Sequence, residues 1–502
     1  MTEYTKKVIF GSSIVLIFTA LAALFGYLLR LVIARNLSQV EYGLIYSIMA
    51  IFGIFSILQN MGLSEALVKH IAEFKVHREN RKIKSAIIFT LIFQLSTAFI
   101  LSAIFWVLAP FLAENYFKSS LAIWGIRLTA VFVFLAPIEN VFLSIFQGYQ
   151  KPVWYSLVNF AKMLFILTAT FILFHFNKTI FSPIIAYILA CSLPFLVYLP
   201  FFLLKIFPSF FSTKVVQFKQ IAKKLFIFGI PVIFTIVSGT VITSIDTIMI
   251  TFFKTLKDVA IYNAAIPTAG LLWFFGGSMA VILLPMSSEI LKRKHSHLLG
   301  EGIPLLYKYG MIMITPLTAL MIVFPEFILR ILFGAEYSAG SNVLRILSIT
   351  ALFFTIGQIN ISILSGIGKP KINTKIVATA AIFNIIGNFF LIPTIGISGA
   401  AISTMISFVI IGILGTIALK KEIKFKLPIT SWIKTIIVGC AFLLSLLILK
   451  NVLSVGMIPK IILSLAISLM VYVLLILATK TVKIEEIRMI NARLGFSIKR
   501  SG

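Results

Sequence analysis

"LAIWGIRLTAVFVFLAPIENVFLSIFQGYQKPVWYSLVNFAKMLFILTATFILFHF" (residues 121–176) is two long apolar runs joined by one short polar turn. Each run is long enough to cross a hydrocarbon core about 30 Å thick as a helix. In lipid the backbone must satisfy its own hydrogen bonds, and a helix does so within a single segment. Similar runs recur along all 502 residues, of which 60% are hydrophobic and only 12% charged, with a mean hydropathy of +1.07. A soluble chain carries about a quarter charged residues. The alternating pattern of an outer-membrane barrel is absent. The expected fold is therefore an all-α polytopic membrane protein.

Fourteen transmembrane helices are expected, near 8–33, 43–66, 85–112, 121–146, 153–176, 180–204, 225–251, 259–288, 304–329, 341–367, 374–392, 398–419, 430–450 and 457–479. Charge placement supports this parsing. With the N-terminus on the cytoplasmic side, 32 Lys and Arg fall on inner segments or inner span ends and ten on outer ones, while Arg127 and Lys162 lie deeper within spans. Such a bias at successive loops is the positive-inside signature, and it puts both termini in the cytoplasm. The net charge of +28 follows mostly from that topology. No loop is long enough for a soluble nucleic-acid-binding module, so no nucleic-acid partner is expected. The basic loops suit anionic headgroups of membrane lipids.

Trp106 and Trp124 near outer span ends, and Trp154 and Trp432 near inner ones, fit interfacial belts. Cys191 and Cys440 fall inside spans, so no disulfide is expected. The first apolar run continues to about residue 34, too long for a signal-peptide core, and is read as an uncleaved span. There is no Walker loop, HExxH or paired Cys ligand set. Neither an enzyme nor a bound cofactor or metal is expected, and any work must come from ion gradients, membrane potential or the cargo's own gradient.

The turn "GYQKP" (148–152) returns as "GIGKP" (366–370). Three further pairs keep the same order: "KKVIFG" (6–11) with "KKLFIFG" (223–229), "RNLSQV" (35–40) with "KTLKDV" (254–259), and "SEAL" (64–67) with "SEIL" (288–291). Together they argue for an internal duplication of six spans. Because six is even, the halves run in the same direction and should be related by an axis along the membrane normal. The expected organisation is an N-terminal six-helix lobe (1–207), a cytoplasmic linker (208–224), a pseudo-symmetric C-terminal lobe (225–420), and helices 13 and 14 with a basic tail (421–502). In each Gly-x-x-Lys-Pro turn, Gly permits tight reversal, Pro suits a first helical turn and Lys holds the turn on the inner side.

Ionisable groups inside spans cost roughly 2.5–3.5 kcal/mol each near a helix centre, so each needs a partner or a wet cavity. Arg127 and Lys162 are embedded cations, Glu139 and Asp246 embedded acids, and Arg30 lies at the outer end of the first span. Glu139 and Lys162 belong to consecutive spans, where they either neutralise one another or serve a cargo. Arg127 lies too deep for easy snorkelling and has no acid one turn away. Cations available in a cavity suit an anionic cargo, since a guanidinium holds phosphate through two parallel hydrogen bonds. Pro137, Pro231 and Pro267 are candidate kinks in a moving transporter.

The stretch "RLVIARNLSQVEYGLIYSIMAIFGIFSILQNMGLSEALVKHIAEF" (30–74), with "QGYQKP", its echo "SGIGKP" and the 6+6+2 layout, resembles the polysaccharide transporter (Wzx-type flippase) family. That family belongs to the multidrug/oligosaccharidyl-lipid/polysaccharide exporter superfamily. The resemblance implies two six-helix lobes around a cavity that opens alternately to each side of the cytoplasmic membrane. It implies a lipid-linked oligosaccharide as cargo, on a polyprenyl phosphate or diphosphate carrier, for polysaccharide or glycan assembly together with other assembly proteins. It further implies cationic cavity residues at the phosphate end, and Arg30 and Arg35 fall within the recognisable motif. Arg127 and Lys162 join them on the argument from embedded charge. Asn159, Gln358, Asn360, Asn384 and Asn388 are candidate sugar contacts, and Asp246 or Glu139 would carry a coupling H⁺ or Na⁺. Two rivals remain. A cation-coupled antiporter for small amphipathic molecules predicts twelve spans and dominant carboxylates, and a membrane polymerase or ligase predicts a large outer loop.

Overall fold

The structure, a computed structural model, describes residues 3–293, 295–454 and 456–482; among these there are helices and no strands. The chain opens with α1 (Glu3–Asn36), α2 (Gln39–Asn60), α3 (Leu63–Val76) and α4 (Asn80–Leu112), the last running into a π-helical turn at Ala113–Phe117. The quoted stretch forms the hairpin α5 (Leu121–Gly148) and α6 (Pro152–Phe176). The following span comprises α7 (Phe181–Ala190) and a one-turn α8 (Leu199–Phe201), with π-helical turns at Pro194–Tyr198 and Phe202–Ile206. Pro194 and Pro200 lack the N–H that a regular ladder requires, which fits the local widening.

The second half contains α9 (Phe218–Phe253), α10 (Leu256–Lys292), α11 (Ser296–Val323), the short α12 (Pro325–Leu332), α13 (Ser341–Gly366), α14 (Pro370–Ile395) and α15 (Ile397–Glu422). A closing pair, α16 (Ile429–Val452) and α17 (Met457–Ala478), completes it. The all-α polytopic expectation holds. The count differs: thirteen helices among the described residues are long and apolar enough to cross a bilayer. The expected span at 225–251 falls on α9, where the described residues give only the shorter apolar stretch Gly239–Phe253.

The repeated turn has one geometry in both places. After Gly148, the Gln150 and Lys151 amides donate to Gln147 and Phe146; after Gly366, the Gly368 and Lys369 amides donate to Ser365 and Leu364. This is the Schellman pattern, with a left-handed residue just past the helix end. The left-handed residues are Gln150 (φ 56°) and Gly368 (φ 80°). The two repeated glycines, Gly148 and Gly366, act instead through close packing. A Cβ on Gly148 would lie 2.8 Å from the Ile71 Cβ, and one on Gly366 would lie 2.6 Å from the Leu284 carbonyl oxygen.

A second pair of local structures also repeats. Ser38 and Glu41 form a capping box at the start of α2, and Thr255 and Asp258 exchange the same bonds before α10, at 2.7 Å between side chains and 3.1 and 3.3 Å to the amides. Reciprocal capping of this kind satisfies donors that a helix start leaves unpaired. The boxes align Ser38 with Thr255, two residues out of register with the pairing of Leu37 and Val40 to Leu256 and Val259 that sequence alone suggests.

By packing, the chain divides into two compact units. The first comprises Met1–Pro267, Leu329–Val343 and Thr374–Ser407; the second comprises Thr268–Ile328, Leu344–Asn373 and Phe408–Gly502. In the first, Phe74, Phe146, Tyr198 and Phe202 centre a core formed by α3, α4, α5 and the widened segment after α7. In the second, Phe324, Phe442 and Tyr472 pack together, and the Tyr472 hydroxyl donates to the Ile312 carbonyl at 2.8 Å. Lipid tails are as apolar as these side chains, so close fit and hydrogen bonds hold such helices together rather than transfer out of water.

Candidate functional site

Two polar clusters stand out within the first unit, and they differ in character. The first is cationic and aromatic. Helix α1 packs on α6, with Phe18 and Phe25 against the Phe160 ring at 5.3 and 5.6 Å. Arg30, on the same helix, places its guanidinium 4.3 Å from the Tyr46 ring centre. Tyr42 and Tyr46 are ring neighbours at 4.7 Å on α2, and the Tyr42 hydroxyl donates to the Asn263 carbonyl at 3.2 Å. Tyr187 on α7 lies within electrostatic reach of both Arg30 and Lys162.

Lys162 on α6 is paired with Glu139 on α5, Nζ to Oε2 at 2.9 Å. The Glu139 side chain is 3% exposed and that of Lys162 18%. Two polar atoms of this cluster are buried without a hydrogen-bond partner: the Arg30 Nη1 and the Glu139 Oε1. Arg30 makes no ion pair among the described residues, so its charge is offset only by tyrosine rings and hydroxyls. A cation over an aromatic face gains about 0.5–2 kcal/mol, which does not replace a counter-ion in a buried site. Asn159, three residues before Lys162 on α6, shares its face and is half-buried.

The second cluster surrounds Asp246 on α9, which is 1% exposed. Its Oδ2 accepts from the Tyr262 hydroxyl and the Thr404 hydroxyl, both at 2.5 Å, and its Oδ1 accepts from the Asn388 amide at 2.7 Å. Asn388 also donates to the Asn384 Oδ1 at 3.2 Å, and Asn384 donates to Thr404 at 3.3 Å. Helices α9, α10, α14 and α15 each contribute. Every donor is neutral, and no Lys or Arg pairs with Asp246 among the described residues. The Asn388 Oδ1 is buried with no hydrogen-bond partner. Two hydroxyls and one side-chain amide thus hold the embedded carboxylate, whose own oxygens, with the nearby Thr404 hydroxyl and Asn388 Oδ1, are the ligand type that hard cations take.

The remaining candidates lie elsewhere. Arg35 donates its Nε to the Leu332 carbonyl at 2.9 Å and its Nη2 to the Ile331 carbonyl, so it caps the C-terminal end of α12, where a cation is favoured. Arg127 lies between the Trp106 and Trp124 rings at 5.4 and 5.2 Å; both rings are exposed on the outside of the helices. In the second unit, Asn360 is fully buried and donates to the Gly412 carbonyl and to Thr416 at 3.2 and 3.1 Å, while its Oδ1 accepts from Tyr307. Gln358 is half-buried on α13.

Thus the structure pairs Lys162 with Glu139, puts Tyr187 within reach of both Lys162 and Arg30, and gathers Asp246 with Asn384 and Asn388. It places Arg35 and Arg127 apart from both groups. Sequence reasoning missed Tyr46, Tyr187, Tyr262 and Thr404. Their one sequence signal is a hydroxyl inside an apolar span, and Asn384 and Asn388 at i,i+4 spacing mark the face that Thr404 meets.

Helices of membrane-spanning length, an embedded ion pair and a carboxylate held by neutral donors are the features of a polytopic membrane transporter, and the family matches place the chain in the multidrug/oligosaccharidyl-lipid/polysaccharide exporter superfamily. The chain belongs to the family described as "Polysaccharide biosynthesis protein", matched over residues 9–291. The MatE family matches residues 231–390. An uncharacterized membrane protein, MJ1068, of Methanocaldococcus jannaschii is 31% identical over 98% of this chain and 99% of its own length. The "Probable low-salt glycan biosynthesis flippase Agl15" of Haloferax volcanii is 25% identical over 44% of this chain and 47% of its own. Among solved structures, an inward closed lipid II flippase MurJ superposes with a TM-score of 0.75 at 17% identity, covering 93% of this chain and 98% of that one. That likeness is one of fold.

Proposed function

We propose that the chain is a flippase that moves a lipid-linked oligosaccharide, carried on a polyprenyl phosphate or diphosphate, across the cytoplasmic membrane by alternating access. The observation that carries this reading is Arg30: its Nη1 is buried without a hydrogen-bond partner, its guanidinium lies over the Tyr46 ring, and it has no acid of its own among the described residues. Phosphate oxygens would complete that site, with Lys162 the second cation. Cargo arrival would compete with Glu139 for Lys162. Asn159 on the same α6 face would meet the sugar nearest the phosphate. The lipid tail stays in the bilayer throughout.

Both termini are proposed to be cytoplasmic, on the strength of the 32-to-10 basic bias. Asp246 is proposed to carry the coupling H⁺ or Na⁺, because an embedded acid with only neutral donors changes its charge state at least cost when a cation joins it. Glycan-assembly proteins would supply and consume the cargo. The family match to polysaccharide biosynthesis proteins and the similarity to a glycan flippase support the cargo class.

The test is exchange in liposomes. Purified protein is reconstituted with a fluorescent lipid-linked oligosaccharide, and headgroup access is scored from each side. Protein should raise the exchange rate well above that of empty vesicles, and Arg30→Gln should abolish most of the gain. Equal rates with and without protein would refute the flippase reading. The Asp246 shell and the MatE match favour a second reading, a cation-coupled exporter of small amphipathic molecules. Ion-driven uptake of such a molecule, with no exchange of the oligosaccharide lipid, would select it.

A further inference from the structure

Arg127 has a structural setting of its own. Its guanidinium is clasped by Trp106 of α4 and Trp124 of α5, and its Nε is buried without a hydrogen-bond partner. It makes no ion pair among the described residues. Trp106, one of the two rings at its guanidinium, also lines a groove of about 380 Å³ that follows the seam between α4 and α5. Phe99, Ser102, Ala103 and Trp106 form one wall, and Ala130 and Phe134 the other. The single hydroxyl there, that of Ser102, is committed to the Ala130 carbonyl at 2.8 Å. The groove is thus wholly apolar, with one cation at its end.

The order along the helix matters. Arg127 precedes Phe134 by seven residues, about 10 Å along α5. The cation therefore sits at the N-terminal end of the groove, beside two tryptophans of the kind that settle at headgroup depth. The apolar trough runs from there toward the bilayer middle. Trp106, Trp124, Phe99 and Val107 are all exposed, so this seam faces lipid.

We infer that the α4–α5 seam binds one phosphate-bearing lipid, its phosphate on Arg127 and its first chain in the groove. The occupant is a bilayer phospholipid such as phosphatidylglycerol, which surrounds a seam that faces lipid. The choice of a lipid over a free anion rests on the continuity of cation and apolar trough. A guanidinium with an unused N–H offers phosphate a charge-assisted bond, and the flanking rings fix its plane. The inference stands apart from the Arg30 cluster and does not depend on the flippase reading.

The experiment uses delipidated full-length protein in detergent and counts bound ligand by native mass spectrometry. Phosphatidylglycerol, a polyprenyl phosphate and tail-free glycerol phosphate are titrated separately. Arg127→Gln should weaken lipid binding by roughly tenfold or more, equivalent to about 1.4 kcal/mol. Ala103→Trp, which fills the groove at an exposed position without touching Arg127, should do the same. Arg127→Lys should retain part of the affinity. Phosphatidylglycerol should bind at least as tightly as the polyprenyl phosphate, and clearly tighter binding of the polyprenyl phosphate overturns the choice of occupant. Lipid binding unchanged in Arg127→Gln, or unchanged in Ala103→Trp, overturns the proposal, as does glycerol phosphate binding as tightly as the lipids. Unaltered thermal unfolding of both variants keeps a loss of binding interpretable. Because retention rather than transport is read, its failure and that of the flippase reading are separable.

Discussion

Replacing Lys162 and Glu139 one at a time and then together asks whether their contact is only structural. With Glu139 3% and Lys162 18% exposed, removing either partner leaves a largely buried charge unmatched. Such truncations cost about 3–5 kcal/mol, whereas exchange of a whole buried pair for apolar residues of similar volume is about neutral. Lys162→Met should fall toward the upper part of that range, since Glu139 already has one unpartnered oxygen. Glu139→Gln should fall lower, because the partly exposed ammonium retains some solvation. The double variant Lys162→Met/Glu139→Leu should recover nearly wild-type thermal stability, giving a coupling energy of several kcal/mol in the cycle. Transport then separates the roles. If Lys162 shares the cargo phosphate with Arg30, the stable double variant should lose at least about tenfold in oligosaccharide-lipid exchange, the loss expected from one charge-assisted contact of roughly 1.5–3 kcal/mol. Wild-type exchange in that variant would remove Lys162 from the cargo site. Single variants costing under about 1 kcal/mol would refute the buried pairing itself.

Asp246→Asn keeps the volume of the second cluster but replaces one acceptor oxygen with an NH2 donor that faces other donors. At least one of Tyr262, Thr404 and Asn388 loses its acceptor, so stability should drop by about 1–3 kcal/mol, and any dependence of transport on a Na⁺ or H⁺ gradient should vanish; gradient dependence that persists rules Asp246 out as the ion carrier. At the paired turns, Gln150→Gly should stabilise by up to about 1 kcal/mol and Gly368→Gln should destabilise by a similar amount, because both positions are left-handed; thermal unfolding in detergent reads both. His70 on α3 hydrogen-bonds Glu73 at 3.0 Å, yet burial, the larger effect, holds its ring below the usual imidazole range, with Glu73 only partly offsetting it. The folded state therefore favours the neutral ring, and its contribution is present above about pH 6.5 and lost as pH falls below it. His70→Gln should flatten that loss when melting temperatures are compared from about pH 7.5 to about pH 5.5.

The helical class was legible because a bilayer imposes a length and an apolar composition that few other constraints imitate. Helix ends were legible where a specific chemistry marks them, as at the two Gly-x-x-Lys-Pro turns and the break at Gly396, whose φ is 66°. The roles within those turns were less so. Gly148 and Gly366 read as turn formers, but the need for Gly there comes from neighbouring helices, which one chain's local pattern does not display. The same holds for charge. Span depth identified Arg127 as expensive to bury, but not that two tryptophans from different helices would bracket it. The motif marked Arg35 but did not display its hydrogen bonds, which go to carbonyls nearly 300 residues away.

Placement of partners also explains why the two clusters invite different ligands. An embedded ion can be stabilised by an opposite ion, by neutral dipoles or by water, and each leaves a different residual chemistry. Lys162 has the first and is nearly neutralised in place. Asp246 has the second: three donors fix its oxygens yet supply no positive charge, so a small cation or proton still gains the full interaction with the carboxylate. Arg30 has an aromatic face and hydroxyls, which orient the guanidinium while leaving an N–H free for an anion. If both sites act in one cycle, cation loading at Asp246 and phosphate engagement at Arg30 should each alter the other's affinity by the same factor. Measuring cation binding with and without the oligosaccharide lipid tests that reciprocity directly. Affinities that stay unchanged would show the clusters to be energetically independent, and the gradient would then have to act through some other residue.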